Sequence, residues 1–560
     1  MKRLRKKESW IYLVAFLALA ILIIYPMLII VTRSFTSNNQ TSLQNYINVF
    51  SDSSTYEVLW NSLFVSIFST FFALVIGSGL SWLVARTDIK GKRWINIGIM
   101  VPFLIPSFIS AISWRQLLGP VGYFNKWFMS LTGTTKPLIS IDGPMGIIFV
   151  MTVSSFSLVY MITHTAFQNM DATYEEAAQI SGASKLRVMK DVTFPLIKPS
   201  ILSSAVLVFV ANISNFGVPS ILGFHESYFV LTTKIYQLLN DYTIQDSFSQ
   251  AASLSMILIL IAVIGIWLQY YLTNQKSFKV VTGKTSQKMV VSLGKYRSVL
   301  TVFINILLFF FAIAPILAIF ATSLTKAYGL SPTWGNLTLD NYYYILFKLP
   351  MAKRSLINSF TLAVSAATIA VGLGIVLSYF ITKTNYKGRK MVSFIVSLPY
   401  ALPGTVIGLA IILAWIKPLP FINLSIYNSL WIILVAYVTY YITLAVQSIS
   451  STLVQMDSSL EEATRVSGAN WFQNMRDVVL PIAKPGIING WFLIFIPALS
   501  ELTISILLWS SGNETIAVAV FNLQEQGNMT AASALSMVMI GFILLGNQLS
   551  KITSKRIERN

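Results

Sequence analysis

The chain has 560 residues, 55% of them apolar and only 11% charged, with no cysteine. Apolar content this high over this length excludes an ordinary soluble domain and predicts a polytopic membrane protein. Without thiols there is no disulfide, thiolate metal site or iron–sulfur cluster, and the net charge of +19 points to nucleic acid only if it is clustered to meet it.

The basic opening "MKRLRKK" leads into an apolar run at 10–32. That run is longer than a signal-peptide core, and no small-residue cleavage site follows "IIYPMLIIVTRSF", so it reads as a retained first membrane helix. A bilayer core about 30 Å thick takes roughly 20 apolar residues per helix. Eleven further runs meet that measure, near 58–86, 95–117, 146–168, 200–222, 251–272, 297–322, 356–382, 391–416, 427–449, 486–508 and 530–549. The expected fold class is therefore all-α, with twelve transmembrane helices. Alternating sides at each span from an inside N-terminus places 30 of the 40 Lys and Arg on the inner side. This positive-inside bias predicts two cytoplasmic termini in a cell membrane, and it assigns the charge to topology rather than to nucleic acid.

In the third run Pro102 and Pro106 predict a kink, and Arg115 lies near its outer end. After the fourth run comes a polar loop, "MDATYEEAAQISGASKLRVMKDVTFPLIKPSI" at 170–201. Thr173 with Glu176 fits the S/T-x-x-E capping box that opens a helix. Tyr174, Ala177, Ala178 and Ser181 then form a narrow, mostly small-residue stripe to which another backbone can come close. Gly182 stands where a left-handed residue ends a helix, Ser184 can cap a second short helix, and Pro195 and Pro199 redirect the chain into the fifth span. Asn212 and Asn215 follow inside that span. The basic stretch 273–296 reads as a cytoplasmic linker; its "VTGKTSQ" lacks the earlier glycine of a P-loop, Phe278 standing there instead. Only two histidines, His164 and His225, occur, and neither has a zinc-protease context.

The second half repeats the first. Residues 170–201 and 456–487 are identical at 15 of 32 positions, among them Asp171, Glu175, Glu176, Ala177, Gly182, Ala183, Pro195 and Pro199. In the second copy Ser459 with Glu462 is the capping box, Leu460, Ala463, Thr464 and Ser467 form the stripe, and Gly468 is followed by Ala469 and a cap at Asn470. Upstream, "NSLFVS", "TDIKGKR", Pro102 and Pro106 match "NSFTLA", "TNYKGRK", Pro399 and Pro403 at a longer offset. The expected organisation is a first repeat at 1–272, a linker at 273–296 and a second repeat at 297–560. Six spans per copy make the two halves parallel about an axis along the membrane normal, which is a transport architecture.

Glutamate pairs and small residues presented twice to the cytoplasm favour a two-fold related partner over a pair of self-contained turns. The pattern in "EEAAQISGAS" and "EEATRVSGAN" resembles the EAA signature of permease subunits of binding-protein-dependent ABC importers, with Thr464 for the second Ala and Phe194 for the usual Leu as departures. The resemblance covers both halves and implies the type I importer permease fold. It also implies that the first short helix of each loop is a coupling helix seated in a cleft of an ABC ATPase subunit. Two such subunits would hold ATP and Mg, an extracytoplasmic substrate-binding protein would load the cargo, and this chain would need no cofactor. The coupling set is then Glu175, Glu176, Ala177, Ala178, Gly182 and Ala183 with Glu461, Glu462, Ala463, Gly468 and Ala469.

The fused form, with "NISNFGVPSILG" and "PALSELTISILLW" after the two signatures, is similar to ferric-iron permeases. Fused permeases for thiamine and aminoethylphosphonate look alike at this level, and a polyamine is a further cargo of the same machinery. An ion-coupled secondary transporter would share the twelve spans but would be expected to carry ion-coupling residues and no paired docking loops; no nucleophile, base and metal constellation favours an enzyme. Intramembrane ionisable residues are costly and mark candidate pathways. Here they are Glu501, whose equivalent is Asn215, and Arg115, opposite Ile412; Asn212 lies nearby, and Tyr440 and Tyr441 either line a cavity or pack.

Overall fold

The structure, a computed structural model, describes residues 4–37, 40–171, 173–241, 243–244, 246–274, 290–418 and 425–559. Most of the predicted linker, including "VTGKTSQ", lies outside these residues. Among the described residues ten helices are long and apolar enough to cross a membrane, and counting each of two bent pairs as one span gives up to twelve. In order these are Tyr12–Ser34, Ser53–Arg86, the pair Lys92–Leu104 and Ser107–Thr132, Pro144–Asn169, Met189–Ile213, Ser247–Tyr271, Tyr296–Ser323, Pro350–Lys383, the pair Arg389–Ala401 and Gly404–Trp415, Leu430–Gln455, Trp471–Leu499 and Met529–Ser554. The fold is all-α; the one sheet among the described residues pairs Thr36–Ser37 with Gln40–Thr41.

Proline shapes these helices in two ways. Five π-turns occur in the described residues, at Ala20–Ile24, Met189–Thr193, Phe309–Ile313, Tyr344–Lys348 and Met475–Val479. Each is followed two residues later by a proline: Pro26, Pro195, Pro315, Pro350 and Pro481. A proline cannot donate to the carbonyl four residues back and its ring crowds that carbonyl. The π-turn lets the residue before the proline bond five residues back instead, as Phe194 does to Met189 and Leu480 to Met475.

This corrects one expectation. Pro195 and Pro481 do not end a loop; they sit in the first turn of helices that continue from the second short helix of each polar loop. The fifth and eleventh spans consequently begin and end earlier than the apolar runs suggest, and both break just before Asn215 and Glu501.

The second use of proline is sharper. The third and ninth spans bend by 102° and 108°, far more than a kink. Ile105 (φ −89°, ψ 127°) and Leu402 (φ −101°, ψ 149°) are extended, because the residue before a proline is driven out of the helical region, and Pro106 and Pro403 open the second helix of each pair. Pro102 and Pro399 lie buried within the first helices.

Packing groups the chain into two compact units, one of Met1–Ser51, Ile235–Ile257 and Thr338–Asn560, the other of Asp52–Lys234 and Leu258–Leu337. The packing boundaries thus differ from the repeat boundaries, since each unit holds the opening span of the other repeat. In the one, Ala15, Leu19 and Ile23 of the first span are buried with Leu377, Val396, Ile442 and Val446, and Tyr12 and Phe16 pack on Phe380. In the other, Phe310 of the seventh span meets Trp114 edge-on at 5.0 Å and Phe311 packs on Phe149 and Phe156.

Candidate functional site

Both polar loops fold as a short helix, a glycine turn and a second helix that becomes the next span. The first short helix runs over Thr173–Ile180 and its twin over Ser458–Val466. Their starts lie within two residues of where the capping boxes put them, and the cap oxygens come from upstream: Asp171 accepts from the Thr173 N–H (3.0 Å) and Asp457 from the Ser459 N–H (2.9 Å). Those hydrogen bonds hold the Asp457 carboxyl below the usual carboxylate range. Thr173 and Ser459 stand inside their helices, a correction for which Asp171 and Asp457, both among the repeated identities, are the sequence signal.

Gly182 (φ 86°) and Gly468 (φ 83°) take the left-handed conformation. The turn is closed by Ala183 N–H to the Ala178 carbonyl and Ala469 N–H to the Thr464 carbonyl, both 3.0 Å. Ser184 accepts from the Arg187 N–H, and Asn470 forms a reciprocal capping box with Gln473.

The glutamate pairs are split, which corrects the expectation that both members face the cytoplasm. Glu176 and Glu462 are exposed. Glu175, 3% exposed, turns inward to Arg86 at the end of the second span (3.4 Å) and accepts from the Thr193 hydroxyl (2.6 Å). Glu461, 5% exposed, turns inward to the Tyr379 hydroxyl of the eighth span (2.8 Å) and the Asn474 amide (3.3 Å). Each short helix is thereby tied to the equivalent span by different chemistry, an ion pair in one copy and neutral donors in the other. Lys383, which occupies the place of Arg86, instead donates to the Met456 carbonyl (2.7 Å).

The end of the second span has a further tie. Val291, in the described end of the linker, donates to the Arg86 carbonyl and accepts from the Asp88 N–H, and Asp88 accepts from the Leu293 N–H and pairs with Arg297 (3.7 Å).

Outward from each anchor, Ala177 and Ala463 are exposed and Ala178, Ala183 and Ala469 half-buried. Sequence reasoning missed the most conspicuous group on this face. Ile180 and Val466, equivalent in the repeat, are 88% and 89% exposed. Burying such a side chain is worth about 1.5–3 kcal/mol, a gain both positions forgo in the chain alone. The available signal was an apolar residue repeated at the same place in two polar loops.

The proline breaks and the breaks after the fifth and eleventh spans meet within each unit. The Asn215 amide donates to Ser107, the first residue after Pro106 (3.2 Å), and a Cβ on Gly404, the equivalent of Ser107, would lie 3.1 Å from Thr503. Asn215 accepts from the Val218 N–H (3.0 Å), capping the short helix Gly217–Gly223. Glu501 does the same with both oxygens, accepting from the N–H groups of Ile504 (2.8 Å) and Ser505 (3.0 Å). These are discontinuous helices of the kind that line transport sites.

The other two pathway candidates are occupied in packing. Asn212, 4% exposed, donates to Ser69 (2.9 Å) and Thr70 and accepts from Ser155 (2.9 Å), joining the second, fourth and fifth spans. Arg115 pairs with Asp142 at 3.0 Å, with side chains 14% and 5% exposed. Burial raises the Asp142 pKa, and the guanidinium opposes that rise. Among the described residues no group of three or more His, Cys, Asp or Glu is placed to hold a metal ion.

The chain matches known proteins. The family model for the binding-protein-dependent transport system inner membrane component matches residues 9–277 and 370–559. A ferric transport system permease protein of Actinobacillus pleuropneumoniae is 25% identical over 92% of this chain and 74% of its own length. An Fe(3+)-transport system permease protein of Haemophilus influenzae is 24% identical over 96% of this chain and 97% of its own. A solved bacterial alginate ABC transporter in complex with a periplasmic protein covers 47% of this chain and 94% of that one, at 18% identity and a TM-score of 0.39. With two copies of the permease repeat spanning the membrane, the chain belongs to the family of inner membrane components of binding-protein-dependent transport systems, and it is a transport permease subunit rather than an enzyme.

Proposed function

We propose that the two short loop helices receive two copies of an ABC ATPase subunit, and that ATP and Mg bound there drive this chain between inward-facing and outward-facing states. The observation that carries this reading is the matched pair of anchored helices, each with one glutamate turned inward and one bare apolar residue, Ile180 or Val466. Glu176, Ala177, Gly182, Glu462, Ala463 and Gly468 then face the partner. Glu175, Ala178, Ala183, Glu461 and Ala469 hold the helix to the span it must move. ATP shifts the two states only through its differential binding to them. The loops and both termini lie on the cytoplasmic side, and an extracytoplasmic binding protein delivers cargo to the broken helices near Asn215 and Glu501.

The cargo we assign is iron(III) or an iron chelate. Support comes from the names of the two relatives above, which match this chain over nearly all its length, and from a carboxylate rather than a cation at the break. Thiamine, a phosphonate and a polyamine fit the same machinery but lack that support. An ion-coupled secondary transporter would leave the paired loop helices without a use.

The native chain has no cysteine, so Ile180→Cys and Val466→Cys each create a single reactive thiol. In the assembled transporter both should cross-link to the ATPase, whereas a thiol at exposed Leu131 should not. Cross-linking at Leu131 but at neither loop position would overturn the docking reading. Uptake of radiolabelled iron(III) by energised vesicles carrying the binding protein tests the cargo separately.

A further inference from the structure

The two units provide an internal control for the chemistry at the break. Asn215 caps its short helix through a neutral amide, so capping needs no charge. Glu501 does the same capping with a carboxylate, half-buried at the break after the eleventh span, and among the described residues no Lys or Arg pairs with it. A carboxylate capped by two N–H groups retains lone pairs for a further partner, and a half-buried charge without a counterion is costly.

The surroundings of Glu501 differ from those of Asn215 in one consistent way. Tyr400, Tyr440, Tyr441 and Tyr437 form a continuous run of rings, with successive centroids 5.5, 5.0 and 6.0 Å apart. The Tyr437 hydroxyl donates to the Glu501 carbonyl at 3.4 Å, and Tyr440 and Tyr441 lie within electrostatic reach of the carboxylate. The equivalents of these four residues in the first repeat are Phe103, Ser154, Ser155 and Met151. The register is fixed by paired hydrogen bonds: Thr443 donates to the Val396 carbonyl just as Ser157 donates to that of Ile99 (both 2.6 Å). The carboxylate and all four phenols therefore belong to the second repeat alone. Tyr437 and Tyr441 are buried, whereas Glu501, Tyr440 and Tyr400 are accessible.

We propose that Glu501, together with the ring run of Tyr437, Tyr441, Tyr440 and Tyr400 beside it, is a station for a hard, oxygen-seeking metal cation in transit, carried by the second repeat only. Carboxylate, phenol and carbonyl oxygens suit hard cations, while the absence of thiol and imidazole disfavours soft ones. Aromatic faces add attraction for positive charge. An anionic cargo would be repelled by the same carboxylate. The proposal rests on the cation-cargo reading above and names the residues that enact it.

Terbium(III), a hard trivalent ion whose emission is sensitised by nearby tyrosine, is a direct probe. With the full chain in lipid nanodiscs, terbium should bind saturably with tyrosine-sensitised emission, and gallium(III) should compete. Glu501→Gln should weaken binding about tenfold or more. Tyr440→Phe with Tyr441→Phe, which leaves the carboxylate and the helix cap in place, should lower the sensitised emission. Tyr343→Phe, at an exposed tyrosine outside the cluster, should change neither. Unaltered affinity in Glu501→Gln, or unaltered emission in the tyrosine double variant, overturns the station, and the latter holds even if Glu501→Gln does not fold. A wild-type chain that binds terbium at Glu501 yet carries no iron in vesicles overturns the iron assignment and leaves the station standing.

Discussion

Arg86 and Glu175 meet at 3.4 Å with both side chains almost wholly buried, whereas the equivalent glutamate, Glu461, meets the Tyr379 hydroxyl and the Asn474 amide. Removing one member of a buried ion pair strands the other charge and costs about 3–5 kcal/mol, whereas a neutral amide can still accept from hydroxyl and amide donors for a loss nearer 1 kcal/mol. Glu175→Gln should therefore lower the thermal midpoint of the purified chain much more than Glu461→Gln. Equal shifts would show that the two loop helices are not held by different chemistry.

Gly182 and Gly468 test the turns. A Cβ at either position would meet nothing within 4 Å, so the whole penalty of a substitution is the left-handed backbone, about 1–2 kcal/mol for a residue with a side chain. Gly182→Val with Gly468→Val should leave the spans folded but misplace both short helices. ATP hydrolysis by the assembled transporter should then continue without uptake. Unaltered uptake in vesicles would show that the turns do not present the coupling surface.

What the sequence made legible follows from how locally each feature is determined. The apolar spans, the helix starts to within two residues and the positive φ of Gly182 and Gly468 depend on residues within a few positions, and all could be read. The ends of the fifth and eleventh spans were misread because Pro195 and Pro481 look like breakers, yet a π-turn just before each absorbs the missing hydrogen bond. The inward turn of Glu175 was not legible at all, since its partner Arg86 arrives from a span that the intervening chain gives no reason to place there. For the same reason Asn212, which looks like a pathway residue in sequence, proves to be held by three hydroxyl-bearing neighbours from two other spans.

Asn212 accordingly makes a stability prediction. Hydrogen bonds between membrane helices are worth about 0.6 kcal/mol on average, with a maximum near 1.7. Asn212→Ala should destabilise the chain by about 1–2 kcal/mol and leave cargo preference unchanged. A switch in cargo with no loss of stability would return Asn212 to the pathway.

Arg115 and Asp142 allow the sharpest separation of packing from transport. The pair joins the second helix of the bent third span to the approach of the fourth, and burial acts against the ionised form of Asp142 while Arg115 favours it. Arg115→Met alone leaves a buried carboxylate without its partner, and Asp142→Asn alone leaves a buried guanidinium, so each single change should cost about 3–5 kcal/mol. The double change removes both charges and should cost less than the sum of the singles, giving a favourable coupling energy of about 1–3 kcal/mol in a double-mutant cycle of thermal or denaturant unfolding. A residue that contacts cargo behaves differently, because removing its partner cannot restore what the cargo has lost. Uptake should therefore recover in the double variant along with stability. Additive stability losses, or uptake that stays lost once stability is regained, would show that Arg115 serves the pathway directly.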